Sequence, residues 1–174
     1  ARAKGLGVFG TKERSVINLA NREGIAAVVA QQFDIGRPVL AGGLMPIIEP
    51  EVNIKSPERA EADRILLEEI LKNLDALPDG EQVMLKLSLP ATAGLFDPLV
   101  DHPKVLRVVA LSGGFSRTEA CAELAKNRGI IASFSRALLN DLRHQMSDAE
   151  CDAALGEAID EIPPASTAKQ PVAA

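Results

Sequence analysis

Apolar and polar positions along the chain change their period repeatedly, and each change marks a β-prone run giving way to a helical one. The clearest run is Glu81 to Pro90. Its alternation puts Val83, Leu85, Leu87 and Leu89 on one face and Met84, Lys86 and Ser88 on the other. Earlier in the chain, Gly5 to Val16 reads as a short strand leading into a polar run, with Lys12 and Arg14 two apart and so on one face. Gly24 to Leu40 reads as a helix with Ile25, Val28, Val29, Phe33 and Val39 on one side, a break near Pro38 and a turn at Gly42-Gly43. Leu44 to Val52 is a second strand that presents Ile47, Glu49 and Glu51 on a common face. Ser56-Pro57 has the form of an N-cap followed by a first helical proline. The helix it opens runs to Leu77, with Leu66, Ile70, Leu74 and Leu77 as its stripe and Glu58, Glu61 and Asp63 in its first turns.

The second half repeats the pattern. Pro90 to Pro103 reads as a loop or short helix, and Val105 to Leu111 as a β-branched strand that breaks at Ser112-Gly113-Gly114. Ser116 to Glu119 forms a capping box for a helix ending near the Asn127-Arg128-Gly129 cap signal. Ile130 to Arg136 is the last strand, followed by a helix from Ala137 to Gln145. Ser147 to Glu150 is a second capping box, opening a helix to Ile162. Residues 1–162 therefore form one α/β domain, and the Ala/Pro/Ser/Thr-rich residues 163–174 read as a disordered tail. Strand–helix repeats mean a parallel sheet, open or closed into a barrel. The polar residues collect at the C-terminal ends of the strands, which is the active face of a (β/α)8 barrel. Five units are too few to close one.

Composition narrows the partners. With 174 residues, 47% hydrophobic, 25% charged, net charge −5 and pI about 5.1, the chain is an ordinary globular domain with no basic face for nucleic acid. Cys121 and Cys151 show no metal or disulfide spacing, which fits a reduced, cytoplasmic setting. No stretch has the apolar length of a membrane span, and Ala1-Arg2-Ala3-Lys4-Gly5 lacks the apolar core of a secretion signal. Without an initiating methionine these residues read as the middle of a longer chain. The sequence is compatible with a homo-oligomer and does not specify one.

If the strand ends converge, they bring together Lys12 and Arg14, Glu49 and Glu51, Lys86, Ser112-Gly113-Gly114 and Arg136. Each has a plain reading: a solvated cation pair, an acidic turn, a strand-end lysine in water, a common glycine turn, a surface arginine. Together they make a set that could perform Schiff-base chemistry on a phosphorylated carbonyl compound. An amine attacks, a carboxylate shuttles protons, and a glycine turn with an arginine holds phosphate. No metal and no cofactor is called for by this set.

The strings Pro46-Ile47-Ile48-Glu49-Pro50-Glu51, Met84-Leu85-Lys86-Leu87, Val109 to Arg117 and Ala132 to Leu138 resemble class I fructose-bisphosphate aldolase in its bacterial form, across nearly all of residues 1–162. The resemblance implies a parallel (β/α)8 TIM barrel of which this chain covers strands 4 to 8. It implies that Lys86 forms the Schiff base with dihydroxyacetone phosphate and that Glu49 accepts the proton. It implies further that Glu51 is a supporting acid and that Lys12 and Arg14 assist chemistry and substrate binding. Ser112, Gly113, Gly114 and Arg136 would hold the phosphate. The implied reaction is the glycolytic cleavage of fructose 1,6-bisphosphate to dihydroxyacetone phosphate and glyceraldehyde 3-phosphate. Two features depart from the family. The aspartate and lysine that its first three strands supply have no counterpart, and tyrosine is absent. Two other readings stand beside this one: another lysine-dependent phosphosugar aldolase, or a non-catalytic barrel fragment that binds phosphate or a partner half-barrel.

Overall fold

The β-prone runs form a five-stranded parallel sheet in the sequential order β1-β2-β3-β4-β5, in a computed structural model that describes residues 1–170. In chain order the elements are α1 (Arg2–Gly5), β1 (Gly10–Ile17), α2 (Arg22–Ala41), β2 (Met45–Val52), α3 (Arg59–Asp75) and β3 (Val83–Ser88). They continue with α4 (Asp97–Val100), β4 (Val105–Leu111), α5 (Arg117–Ala125), β5 (Ile131–Ala132), α6 (Arg136–Leu139) and α7 (Asp148–Thr167).

The strand order decides between the two parallel architectures. A doubly wound sheet reverses its order at a switch point. Here no reversal occurs, so right-handed crossovers all run the same way and lay the helices along one face. The other face is left for a barrel interior. The core follows suit: Ile48 and Val52, Leu85 and Leu87, and Val108 and Ala110 join Ile25, Val29 and Phe33 of α2, Leu66, Ile70 and Leu74 of α3 and Leu124 of α5 in one cluster. Val109 and Leu111, on the opposite face of β4, are buried but lie outside that cluster. The fold is thus a partial (β/α) barrel, as expected.

Several boundaries differ from the sequence reading. β1 begins at Gly10 rather than Gly5, and residues 2–5 form a helical turn. The polar run is itself the strand, paired in register with β2 from Gly10↔Met45 to Ile17↔Val52, while Val8 and Phe9 are exposed. Polar residues hold a strand here because their backbone pairs with β2, while Lys12 and Arg14 take the interior face and Ser15 meets Gln32 of α2 on the helix side. α2 passes through Pro38 to Ala41 without breaking, since the exposed proline sits within its last turns. α3 begins at Arg59, two residues beyond the expected start, and Ser56 Oγ accepts the N–H of Glu58 instead of capping the helix. β5 is two residues long, and α6 is a single turn whose exit is wrapped by Arg143 donating to the carbonyls of Asn140 and Leu142. Both capping boxes form as read, at Ser116/Glu119 and Ser147/Glu150.

The largest correction concerns the tail expected to be disordered from Pro163. α7 continues through Pro163 and Pro164 to Thr167, and Ala165 is buried against the core. Ser166 Oγ accepts the N–H of Ala132 at 2.9 Å, which completes the short last strand. Lys169 Nζ donates to the carbonyls of Leu124, Ile130 and Ala165, and burial pushes its amine below the usual lysine range. Composition suggested a loose segment; three carbonyls converging on one ammonium hold it. Residues 171–174 lie outside the described residues.

Ending the chain at Ile162 removes these contacts and exposes the β5 edge. We expect urea unfolding to show a loss of roughly 2–4 kcal/mol, from several buried hydrogen bonds and the apolar cover of Ala165. An unchanged midpoint would show that the tail contributes nothing to the fold.

Candidate active site

Register alone gathers the interior-face residues of three neighbouring strands. In a parallel pair, Cα partners point their side chains the same way. Lys12 pairs with Ile47, Arg14 with Glu49, Ile47 with Met84, and Lys86 with Val109. Lys12, Arg14, Glu49, Glu51 and Lys86 therefore emerge on the face away from the helices.

At the centre is Glu49, whose side chain is 4% exposed. Its Oε2 lies 2.6 Å from Lys12 Nζ and its Oε1 lies 3.4 Å from Lys86 Nζ. A carboxylate buried to this degree requires compensating charge, and the two neighbouring strands supply one amine each. The amines are not equivalent. Lys86 is 16% exposed and Lys12 is 41% exposed, so Lys86 meets the carboxylate in the drier surroundings. Beside them Arg14 Nε donates to Glu51 Oε2 at 2.6 Å. That hydrogen bond and the Glu51 charge, with a further contribution from Glu49, hold the Arg14 guanidinium above its ordinary range.

A cavity of about 340 Å³ opens over this cluster, lined by Arg14, Glu49, Glu51 and Lys86 on one side and by Leu111, Ser112, Gly113, Ser133, Ser135 and Arg136 on the other. Gly113 adopts φ +64° and Gly114 φ +107°, in the region that favours glycine. A Cβ added at Gly113 would come within 2.9 Å of Ile54 Cγ2, so the turn is both conformationally and sterically reserved for glycine. The N-terminus of α5 is closed by its own capping box, with Ser116 Oγ accepting the N–H of Glu119 and the Glu119 carboxylate accepting the N–H of Ser116. Its dipole thus already faces a carboxylate. Ser112, Gly113 and Arg136, three of the residues expected to hold an anion, border the cavity. Among the described residues Arg136 has no carboxylate partner.

Seven of the nine residues expected at the site line this one cavity. Lys12 does not line it but touches Glu49. Gly114 instead borders an adjoining recess of about 180 Å³ that also includes Arg136, Phe115 and Arg117. Ser133 and Ser135 join the expected residues in the cavity lining; they flank Phe134 with period two, a strand-like signal at the end of the last strand. Asp63, by its position a favourable first-turn acid on α3, is instead fully buried. It sits three and seven residues before Leu66 and Ile70, and so on the buried stripe. Its Oδ2 accepts the N–H of Ala91 at 2.8 Å, in the loop that leaves the Lys86 strand. Among the described residues no helix is long and apolar enough to cross a membrane, and no three metal-ligating side chains converge.

No family model matches the chain. Its sequence is 51% identical over 165 residues to the fructose-bisphosphate aldolase class 1 of Synechocystis sp., covering 95% of this chain and 55% of that protein. It is 49% identical over 164 residues to the fructose-bisphosphate aldolase class 1 of Porphyromonas gingivalis, covering 94% of this chain and 55% of that protein. The chain thus spans about half the length of the curated relatives it matches. Among solved structures, the fructose-bisphosphate aldolase of Plasmodium falciparum superposes with a TM-score of 0.72 at 21% identity, over 92% of this chain and 57% of that one. That likeness establishes the partial-barrel fold.

Burial pushes the Asp63 carboxyl up to about 6, against the lowering effects of the Ala91 N–H and Arg59. An acid whose folded pKa is raised binds its proton more tightly in the folded chain, so its contribution to stability is full below about pH 4 and declines as pH rises to about 6. Thermal unfolding of the wild type against Asp63→Asn across this window should show the variant gaining on the wild type by up to about 3 kcal/mol, with a flat difference above it. A difference independent of pH would mean that Asp63 titrates as an ordinary carboxylate.

Proposed function

We propose that this chain, a segment of the class 1 fructose-bisphosphate aldolase family, carries the Schiff-base part of an aldolase site, with Lys86 as the nucleophile and dihydroxyacetone phosphate as the ketone it engages. The observation that carries this reading is Glu49 held between the amines of Lys86 and Lys12 at the wall of a cavity whose far side is a glycine turn and a free arginine.

Each residue has a role that its position supports. The phosphate of the ketone rests on Ser112, Gly113, Gly114 and Arg136, which places the carbonyl carbon toward Lys86. The neutral Lys86 amine attacks that carbon, and the tetrahedral carbinolamine forms. Glu49, 3.4 Å from Nζ, receives the proton that nitrogen releases. The same carboxyl passes that proton to the carbinolamine oxygen, and a second proton, drawn from solvent in the open cavity, lets the hydroxyl leave as water and gives the iminium ion. For a six-carbon bisphosphate bound this way, loss of the C4 hydroxyl proton to a carboxylate breaks the C3–C4 bond. The electron pair moves into the iminium, and glyceraldehyde 3-phosphate is released. Glu51 and Arg14 hold one another and shape the wall beside Glu49, with Glu51 as the supporting acid. Lys12 holds Glu49 in place through their 2.6 Å ion pair.

Borohydride reduction with dihydroxyacetone phosphate tests this reading. It should leave a stable secondary-amine adduct on Lys86, located by peptide mass mapping, and Lys86→Arg should abolish it. Glu49→Gln removes the proton acceptor and should slow adduct formation by roughly 10²–10⁴-fold. A folded wild-type chain that gives no adduct on Lys86, yet binds inorganic phosphate, supports the non-catalytic anion-binding reading instead.

A further inference from the structure

The first turns of α3 reach both loops that the proposed chemistry depends on. Arg59 donates from Nη2 to the carbonyl of Leu89, three residues past Lys86 at the exit of β3. Its Cζ also lies 5.5 Å from the centroid of the Phe115 ring, in the residue directly after Gly114. One turn further along the helix, the buried Asp63 places Oδ2 4.0 Å from Arg59 Nε and accepts the N–H of Ala91 at 2.8 Å. Phe115 donates its own N–H to Ser112 at 3.0 Å, which closes the glycine turn. A single guanidinium thus touches the loop after the lysine strand and the loop that borders the phosphate side of the cavity.

Neither Arg59 nor Asp63 lines the cavity, so neither is placed to touch a substrate. With its side chain only 17% exposed, Arg59 is desolvated at a position where an aliphatic residue would fill the space at less cost. What an aliphatic residue cannot do is bond a carbonyl in the guanidinium plane while stacking on a ring with its face. We propose that Arg59, oriented by Asp63, is a positioning residue that sets the spacing between the Lys86 strand exit and the Ser112–Gly114 turn, and so selects ketones whose phosphate lies at a matching distance from the carbonyl. This rests on the Schiff-base reading of Lys86.

The test compares borohydride trapping of dihydroxyacetone phosphate with that of dihydroxyacetone, which has the ketone but no phosphate. Arg59→Met keeps length and removes the charge and the fork. It should lower the trapping rate with the phosphorylated ketone about tenfold, as expected for loss of a charged hydrogen bond and a cation–π contact, and change the rate with the unphosphorylated ketone less than about twofold. A merely structural role would move both rates together, and an unchanged ratio, whether both fall or neither does, overturns the inference. If circular dichroism shows Arg59→Met unfolded, Phe115→Leu decides: it retains the apolar fill, should reduce the ratio about threefold, and overturns the inference if the ratio stays at the wild-type value. A wild-type chain that is not trapped on Lys86 overturns the Schiff-base reading and this inference with it. A trapped wild type with unaltered variants overturns this inference alone.

Discussion

The site depends on a buried carboxylate that no single strand could support. Glu49 occupies the middle of three neighbouring strands and is removed from water, so its charge has to be balanced at close range. β1 brings Lys12 to one oxygen and β3 brings Lys86 to the other. Behind it, Gln32 of α2 donates to the Glu49 carbonyl and to Ser15 of β1, anchoring the backbone from the helix side. Shifting either neighbouring strand by one residue would send its lysine into the helix layer. Parallel register is therefore not a background feature of the fold but the condition under which both lysines reach Glu49.

The strand exits are fastened to one another as firmly as the strands are paired. Ser88 Oγ donates to the Val52 carbonyl at 2.6 Å, joining the ends of β3 and β2. Ile54, beyond β2, packs against Gly113 beyond β4. Arg59 and Asp63 reach from α3 to Leu89, Ala91 and Phe115. These links matter because catalytic geometry tolerates little slack, and loops that are tied to rigid elements hold reacting groups better than free ones. Asp63 lends itself to this task because a buried acceptor is held to its donor by the cost of leaving it unpaired.

What could be read from the sequence, and what could not, follows from the range of the interactions involved. The face of Lys86 was legible because strand periodicity is local, and so were the glycine turn and both capping boxes. The buried position of Asp63 was partly legible, since it falls on the Leu66–Ile70 stripe, but a first-turn acid reads by default as a dipole partner. The start of β1 was hidden by Val8 and Phe9, which look like strand residues and are exposed; what defines that strand is pairing with β2, a partner some 35 residues away. The tail was the least legible element. Its Ala, Pro and Ser residues suggest disorder, whereas its order comes from Lys169 and Ser166 meeting carbonyl and amide groups of α5 and β5 that are distant in sequence.

The ion pairs around the cavity are not equally dependent on their surroundings. Lys12 and Arg14 are 41% and 50% exposed on the β1 side, so water and salt screen their charges there. Lys86, near the middle of the sheet, is screened far less. Any covering of the β1 side would therefore strengthen the Lys12–Glu49 and Arg14–Glu51 pairs most, by lowering the local dielectric. Strengthening the first of these draws Glu49 toward Lys12 and away from the Lys86 amine on its other side. The surroundings of Lys86 are in this way coupled, through one shared carboxylate, to the degree of solvation of a strand with which its own strand does not pair.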